Sequence, residues 1–159
     1  METSALQRLT IKGRNRYPVW SHDGQRVAFQ SDVEGDAGIF WQRADGAGAA
    51  ERLTRAPRDA SQVPESFSAD GKYLLFSEQK GGNYVLHTLS MDDKKSAPFG
   101  NVNSVEPIGA TFSPDGHWVA YAATIVAGTS ADSGIFRPDS CPGNLSYNMS
   151  HGTHPSRPR

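Results

Sequence analysis

The stretch Ala110-Thr111-Phe112-Ser113-Pro114-Asp115-Gly116-His117-Trp118-Val119-Ala120-Tyr121 decides the fold, because the chain carries its pattern twice more upstream without a gap. The earlier copies are Pro18-Val19-Trp20-Ser21-His22-Asp23-Gly24-Gln25-Arg26-Val27-Ala28-Phe29 and Glu65-Ser66-Phe67-Ser68-Ala69-Asp70-Gly71-Lys72-Tyr73-Leu74-Leu75-Phe76. All three read aromatic, Ser, any residue, Asp, Gly, two variable positions, then an apolar run that closes on an aromatic side chain. Asp-Gly between two apolar runs is a hairpin signal: Gly takes a positive φ without a Cβ clash, and Asp tolerates the left-handed region. In the run that follows, Val27 and Phe29, Leu74 and Phe76, and Val119 and Tyr121 alternate onto one face. Ala28, Leu75 and Ala120 fill the other face, so each of these strands reads as buried on both sides.

Asp23 and Asp70 stand 47 residues apart, and Asp70 and Asp115 stand 45 apart. Such a period suits one four-stranded propeller blade per copy. The flanking sequence supplies the remaining strands. Gly38-Ile39-Phe40-Trp41-Gln42 is a third strand, Asp45-Gly46 a turn, and Ala50-Glu51-Arg52-Leu53-Thr54 a short outer strand. In the second unit the third strand is Tyr84-Val85-Leu86-His87-Thr88-Leu89 and the weak outer strand is Ser96-Ala97-Pro98-Phe99. The third unit continues with Gly134-Ile135-Phe136, and residues 145–150 form its outer strand. The expectation is an all-β fold of about three blades, each of four antiparallel strands, cut from a larger propeller of six or more. Residues 1–159 form a partial β-propeller, with 17–54 as blade 1, 63–99 as blade 2 and 109–150 as blade 3. Residues 5–10 resemble Glu51-Arg52-Leu53-Thr54 and read as the outer strand of a preceding blade. Residues 151–159 read as the truncated start of a next blade or a disordered tail.

Composition narrows the function classes. With 16 Gly and 10 Pro, the chain favours many short elements over long helices. The 16 basic and 17 acidic residues leave a formal charge of −1, so no field steers nucleic acid or an anionic membrane toward it. Cys141 stands alone, which excludes an internal disulfide and a cysteine-rich metal site. Met1-Glu2-Thr3-Ser4 lacks the basic start of a signal peptide, and no apolar stretch approaches the length of a membrane span.

The repeats resemble the TolB-type, WD-repeat-like propeller family. Ser113-Pro114-Asp115-Gly116 matches that family's turn, with Ser21-His22-Asp23-Gly24 and Ser68-Ala69-Asp70-Gly71 as variants, and Leu9-Thr10 and Leu53-Thr54 match its outer-strand ends. The likeness covers residues 5–123. A closer likeness is to the propellers that follow the kinase domain of some bacterial serine/threonine kinases. It is carried by Arg16-Tyr17-Pro18-Val19-Trp20-Ser21, Gly38-Ile39-Phe40-Trp41-Gln42-Arg43-Ala44-Asp45-Gly46 and Glu106-Pro107-Ile108-Gly109-Ala110-Thr111-Phe112-Ser113. The resemblance implies an extracytoplasmic setting if the parent is TolB-like or a membrane kinase. It implies no single activity, since propellers host many.

Within these 159 residues the sequence offers no catalytic motif, and neither a cofactor nor a metal is expected. Gly128-Thr129-Ser130-Ala131-Asp132 lacks the closing Gly of a hydrolase nucleophile turn, and the kinase signatures are missing. Cys141 with His151 and His154 sits in turn-rich sequence and reads as incidental. Asp32, Glu34 and Asp36 share one loop without EF-hand spacing and read as a solvated loop. His22, His87 and His117 read as turn or packing residues, and Trp20, Phe67 and Phe112 as equivalent core aromatics. Ser21, Asp23, Gly24, Ser68, Asp70, Gly71, Ser113, Asp115 and Gly116 are repeat-turn residues with a structural role. Trp41 breaks the repeat, since its counterpart is Leu86 or His87, and is the candidate partner anchor. The function these readings favour is a non-catalytic interaction or scaffold module with a protein partner. The alternative is a regulatory or sensor segment of a larger enzyme, a kinase or a propeller-bearing peptidase. Open blade edges also predict self-association.

Overall fold

A computed structural model describes residues 8–125 and 130–136. The first sheet is β1 (Asn15–Trp20), β2 (Arg26–Ser31), β3 (Gly38–Arg43) and β4 (Glu51–Arg52), in that spatial order. The second is β5 (Ala60–Phe67), β6 (Tyr73–Lys80), β7 (Asn83–Ser90) and β8 (Ser96–Ser104), again in chain order. The third holds β9 (Thr111–Phe112), β10 (Val119–Ile125) and β11 (Ser130–Phe136). Every named strand pair is antiparallel, as meanders joined by short turns must be. No described residue is helical. Among the described residues no helix is long and apolar enough to cross a membrane.

Two apolar seams hold the sheets face to face. Ala28, Ile39 and Leu53 of the first sheet bury against Phe67, Leu74, Phe76 and Leu89 of the second. Leu75, Leu86, Phe99 and Val102 of the second bury against Ile108, Ala110, Val119 and Ala123. Leu74 and Phe76 thus face the preceding sheet while Leu75 faces the following one, which is the two-sided burial that the sequence pattern demanded. At about 25 cal/mol per Å² of apolar surface, each fully buried Leu or Phe contributes roughly 2–3 kcal/mol, so these two seams dominate the stability.

The same rule explains where Trp20 departs from expectation. Phe67 is buried because the first sheet covers it, and Phe112 is half-buried on the second seam. Trp20 pairs with Val27 on the face turned away from the second sheet and remains 60% exposed, so it is not a core aromatic here. Its neighbour Val19 points the other way, into the first seam.

Several strands run longer than their sequence signals. β5 begins at Ala60, and β8 continues through Ser104, beyond the Ser96-Ala97-Pro98-Phe99 read from the sequence. A register shift between Val85 and His87 absorbs the irregularity, after which Asn103 and Ser104 pair with Val85 and Tyr84. β11 likewise extends from Ser130, beyond Gly134-Ile135-Phe136. Arg8, Leu9 and Thr10 are not in a strand, and the rest of the outer strand expected at 5–10 lies outside the described residues. Residues 1–7, the outer strand expected at 145–150, and the tail 151–159 lie outside the described residues, as do Cys141, His151 and His154.

Candidate functional site

The three repeat turns are built alike. Gly24 N–H donates to the Ser21 carbonyl at 2.9 Å, and Gly71 and Gly116 do the same to Ser68 and Ser113. These glycines have φ of 67°, 70° and 73°, the left-handed region that the turn requires. Each Ser hydroxyl donates to the Asp carboxylate two residues on, at 2.6 Å for both Ser21–Asp23 and Ser68–Asp70; Ser113 pairs with Asp115 in the same way. The backbone N–H of Gln25, Lys72 or His117 also donates to that carboxylate. The Ser hydroxyl oxygen accepts the N–H of Arg26, Tyr73 or Trp118, which opens the next strand. The hydroxyl is the main cause, with the backbone N–H second, of the depressed pKa of Asp23, Asp70 and Asp115. This is a self-contained corner whose donors are already spent.

The opposite end of the first seam holds a polar cleft of about 290 Å³. It forms where the loop between β2 and β3 meets the start of β5: Gln62 N–H donates to the Ala37 carbonyl at 2.9 Å, and Ala37 bridges Ser61 in parallel. Gln30, itself buried, donates its amide to the Gln62 carbonyl at 2.9 Å and closes the floor. Arg14, Arg16 and Tyr17 line one wall, Ser61 and Gln79 the other. Arg14 is tethered, its N–H 2.7 Å from an Asp32 carboxylate oxygen and its guanidinium 4.0 Å from the other. The Arg16 guanidinium makes no ion pair with any described residue. Tyr17 sits at a bulge between Arg16 and Val19, with φ of 55°. For a bulky non-glycine residue ahead of a proline this backbone costs about 1–3 kcal/mol.

The internal repeat measures how unusual that wall is. Aligned without gaps, Arg16 corresponds to Val63 and Ile108, and Tyr17 to Pro64 and Gly109. Gly109 takes φ of 62°, so the third unit reaches the same backbone with the residue suited to it. The first unit alone places a cation and a strained aromatic here. Sequence reading sought what the copies share and used Arg16 and Tyr17 only for a family likeness, not as site residues; the signal lay in where one copy departs from the other two.

No family model matches the chain. Over 116 residues, 71% of this chain, it is 31% identical to the uncharacterized peptidase YuxL of Bacillus subtilis strain 168, a match that spans 17% of that protein. The structure of TolB from Acinetobacter baumannii superposes with a TM-score of 0.65 at 22% identity, over 79% of this chain and 30% of that one. The chain has the TolB-type propeller fold. A prolyl endopeptidase structure superposes at TM-score 0.61 and 13% identity, over 80% of this chain and 21% of that one. The chain thus spans less than a third of the length of each of these three proteins.

Within the TolB-type blades the other candidates find partners. Trp41 is half-buried against the first seam, with the Arg26 guanidinium 4.1 Å and the Lys94 ammonium 4.7 Å from its ring, and its indole N–H donates to Glu51 at 2.8 Å. It ties the outer rim of one blade to the next. Glu34 and Asp36 are both held by Arg52, the first at 2.8 Å, and Asp32 is held by Arg14. Burial would push the Asp36 pKa up, but hydrogen bonds from Arg52 and the Ala56 N–H outweigh it and leave the carboxyl below its usual value. His87 stacks on Phe76 with ring centroids 5.1 Å apart, and burial lowers its pKa despite Glu78. His22 and His117 lie in the repeat turns.

Proposed function

We propose that these blades act as a non-catalytic interaction module, binding a segment of a protein partner across the end of the first seam where the cleft opens. The cleft carries this reading. It is concave, polar and lined by residues that depart from the repeat, and it presents a guanidinium and amide groups without any described histidine or cysteine. Loops and strand ends held by a rigid scaffold are where such binding concentrates. The test is site-specific photocrosslinking in the full-length protein. With p-benzoylphenylalanine replacing Tyr17, a discrete protein adduct is expected, and none with the same residue replacing Asp92 in the turn between β7 and β8. Equal yields at both positions would overturn the reading.

A second reading is favoured by the 31% identity to a protein described as a peptidase. Here the blades are a regulatory or substrate-screening segment of a larger enzyme, with a peptidase supported over the kinase branch. A fluorophosphonate probe should then label the full-length protein at a serine outside residues 1–159; a protein that stays unlabelled while a control hydrolase reacts counts against it.

A further inference from the structure

We propose that the cleft between the first two blades is a carboxylate site, with Arg16 as the recognition residue, and that it takes a peptide chain's C-terminal carboxylate or an acidic side chain. The inference deepens the partner-binding reading and rests on it.

Charge sets the ligand's sign and size. Arg14 and Arg16 against Asp32 leave one net positive charge on the lining. Arg14 gives Asp32 its backbone N–H and keeps its own guanidinium exposed and 4.0 Å away, whereas Arg16 makes no ion pair with any described residue, so the net positive charge is most accessible at Arg16. A group of charge −1 balances that; a phosphate, near −2, would bring surplus charge up to the Asp32 carboxylate. The planar guanidinium matches a carboxylate with two parallel N–H···O bonds. The far wall offers a matching donor. Ser61 donates its hydroxyl to the Gln79 side-chain oxygen at 3.4 Å, which leaves the Gln79 amide nitrogen with no acceptor among the described residues. Arginine on one wall and an amide donor on the other form a pincer for one anionic group.

Placement and strain point the same way. Val63 and Ile108, the counterparts of Arg16, show that the fold itself needs only an apolar residue at this position. Tyr17 holds a left-handed backbone that Gly109 holds freely in the third unit, and it lines the cleft directly beside Arg16. Strain kept by a bulky residue where glycine would serve marks a position retained for its side chain. The aromatic ring gives the peptide preceding the carboxylate an apolar surface to lie on.

The experiment is a chemical-shift titration of the isotopically labelled chain with four probes: Ac-Phe-Ala-Ala with a free carboxylate, its C-terminal amide, Ac-Phe-Glu-Ala amide, and inorganic phosphate. The free carboxylate or the Glu peptide should shift the backbone amides of Arg16, Tyr17, Ser61 and Gln79, and the stronger of the two identifies the source of the group. The neutral amide should bind at least tenfold more weakly, and Arg16→Gln should abolish the preference while circular dichroism stays unchanged. Arg16→Lys should restore it only in part, as a point charge in place of a fork. Equal binding of the neutral amide would overturn the carboxylate assignment and leave peptide binding standing. Phosphate binding as tightly as the carboxylate would overturn the charge argument. No response to any probe at these amides up to 10-fold molar excess over a millimolar Kd would overturn the site itself, whatever the crosslinking at Tyr17 reports.

Discussion

Tyr17 is where residue-level physics and function meet. Its φ of 55° costs the fold about 1–3 kcal/mol, and glycine there would remove that cost while adding about 0.5–1 kcal/mol of backbone entropy to the unfolded chain. Tyr17→Gly should therefore raise stability by about 1 kcal/mol, read as a higher midpoint in urea, while weakening the carboxylate peptide's binding. A lower midpoint would mean that the ring contributes more to the fold than the backbone strain takes away. The turn aspartates give a second residue-scale prediction. Asp23, Asp70 and Asp115 have folded-state pKa values lowered first by their serine hydroxyls, and Asp45 is held at about 2 chiefly by Arg43. A lowered carboxyl pKa adds stability above the unfolded value of about 3.9 and loses it as pH falls through the folded value. The melting temperature should drop as pH falls from about 4 toward 2, and the triple variant D23N/D70N/D115N should drop less. Parallel pH profiles for parent and variant would assign the acid sensitivity to other groups.

Strands are held to their neighbours by a few buried polar ties as well as by the seams, and Glu65 is the clearest. It lies on β5 at the bulge between Pro64 and Ser66, accepts the Ser77 hydroxyl at 2.6 Å, and takes hydrogen bonds from the backbone N–H groups of Gly109 and Ala110. Desolvation outweighs those three donors and leaves its pKa raised. Glu65→Ala would strand a hydroxyl and two amides at the join between the second sheet and β9, so a loss of about 2–3 kcal/mol is expected. Hydrogen exchange should show β9 and β10 deprotected before β2 and β3; uniform deprotection would refute the local role. This tie was not legible in the sequence, because Glu65 reads as one more polar residue at the head of a repeat. The inner pair of strands in each unit was legible, since Asp-Gly corners and alternating apolar rows specify hairpins from local chemistry alone. The strand at Ser96-Ala97-Pro98-Phe99 was legible but its length was not: Gly100 breaks a strand locally, and only the pairing with β7 carries β8 through to Ser104.

At the scale of the whole molecule, the repeat that made the fold readable also shows which sheet faces no described residue covers. Ala28, Leu75 and Ala120 hold one register position, turned toward the following sheet. Ala28 and Leu75 are fully buried by that sheet, whereas Ala120 is exposed and Trp118, on the same face, is 41% exposed. Together with Phe112 and Pro114 they border an open apolar hollow of about 770 Å³. At the other end of the array Trp20 is exposed on the face that, in the next two sheets, receives a neighbour. An apolar sheet face that no described residue covers favours association, and the Ala120 face is the counterpart of the one on which Ala28 joins Leu74 and Phe76 in the first seam. The 159-residue chain should therefore self-associate, with a weight-average mass in sedimentation that rises with concentration. Ala120→Glu places a carboxylate in the hollow without touching either seam and should return the mass to that of one chain while the melting temperature holds. A parent chain that stays monomeric at all concentrations, or a variant that associates as strongly, would show that these faces do not meet one another.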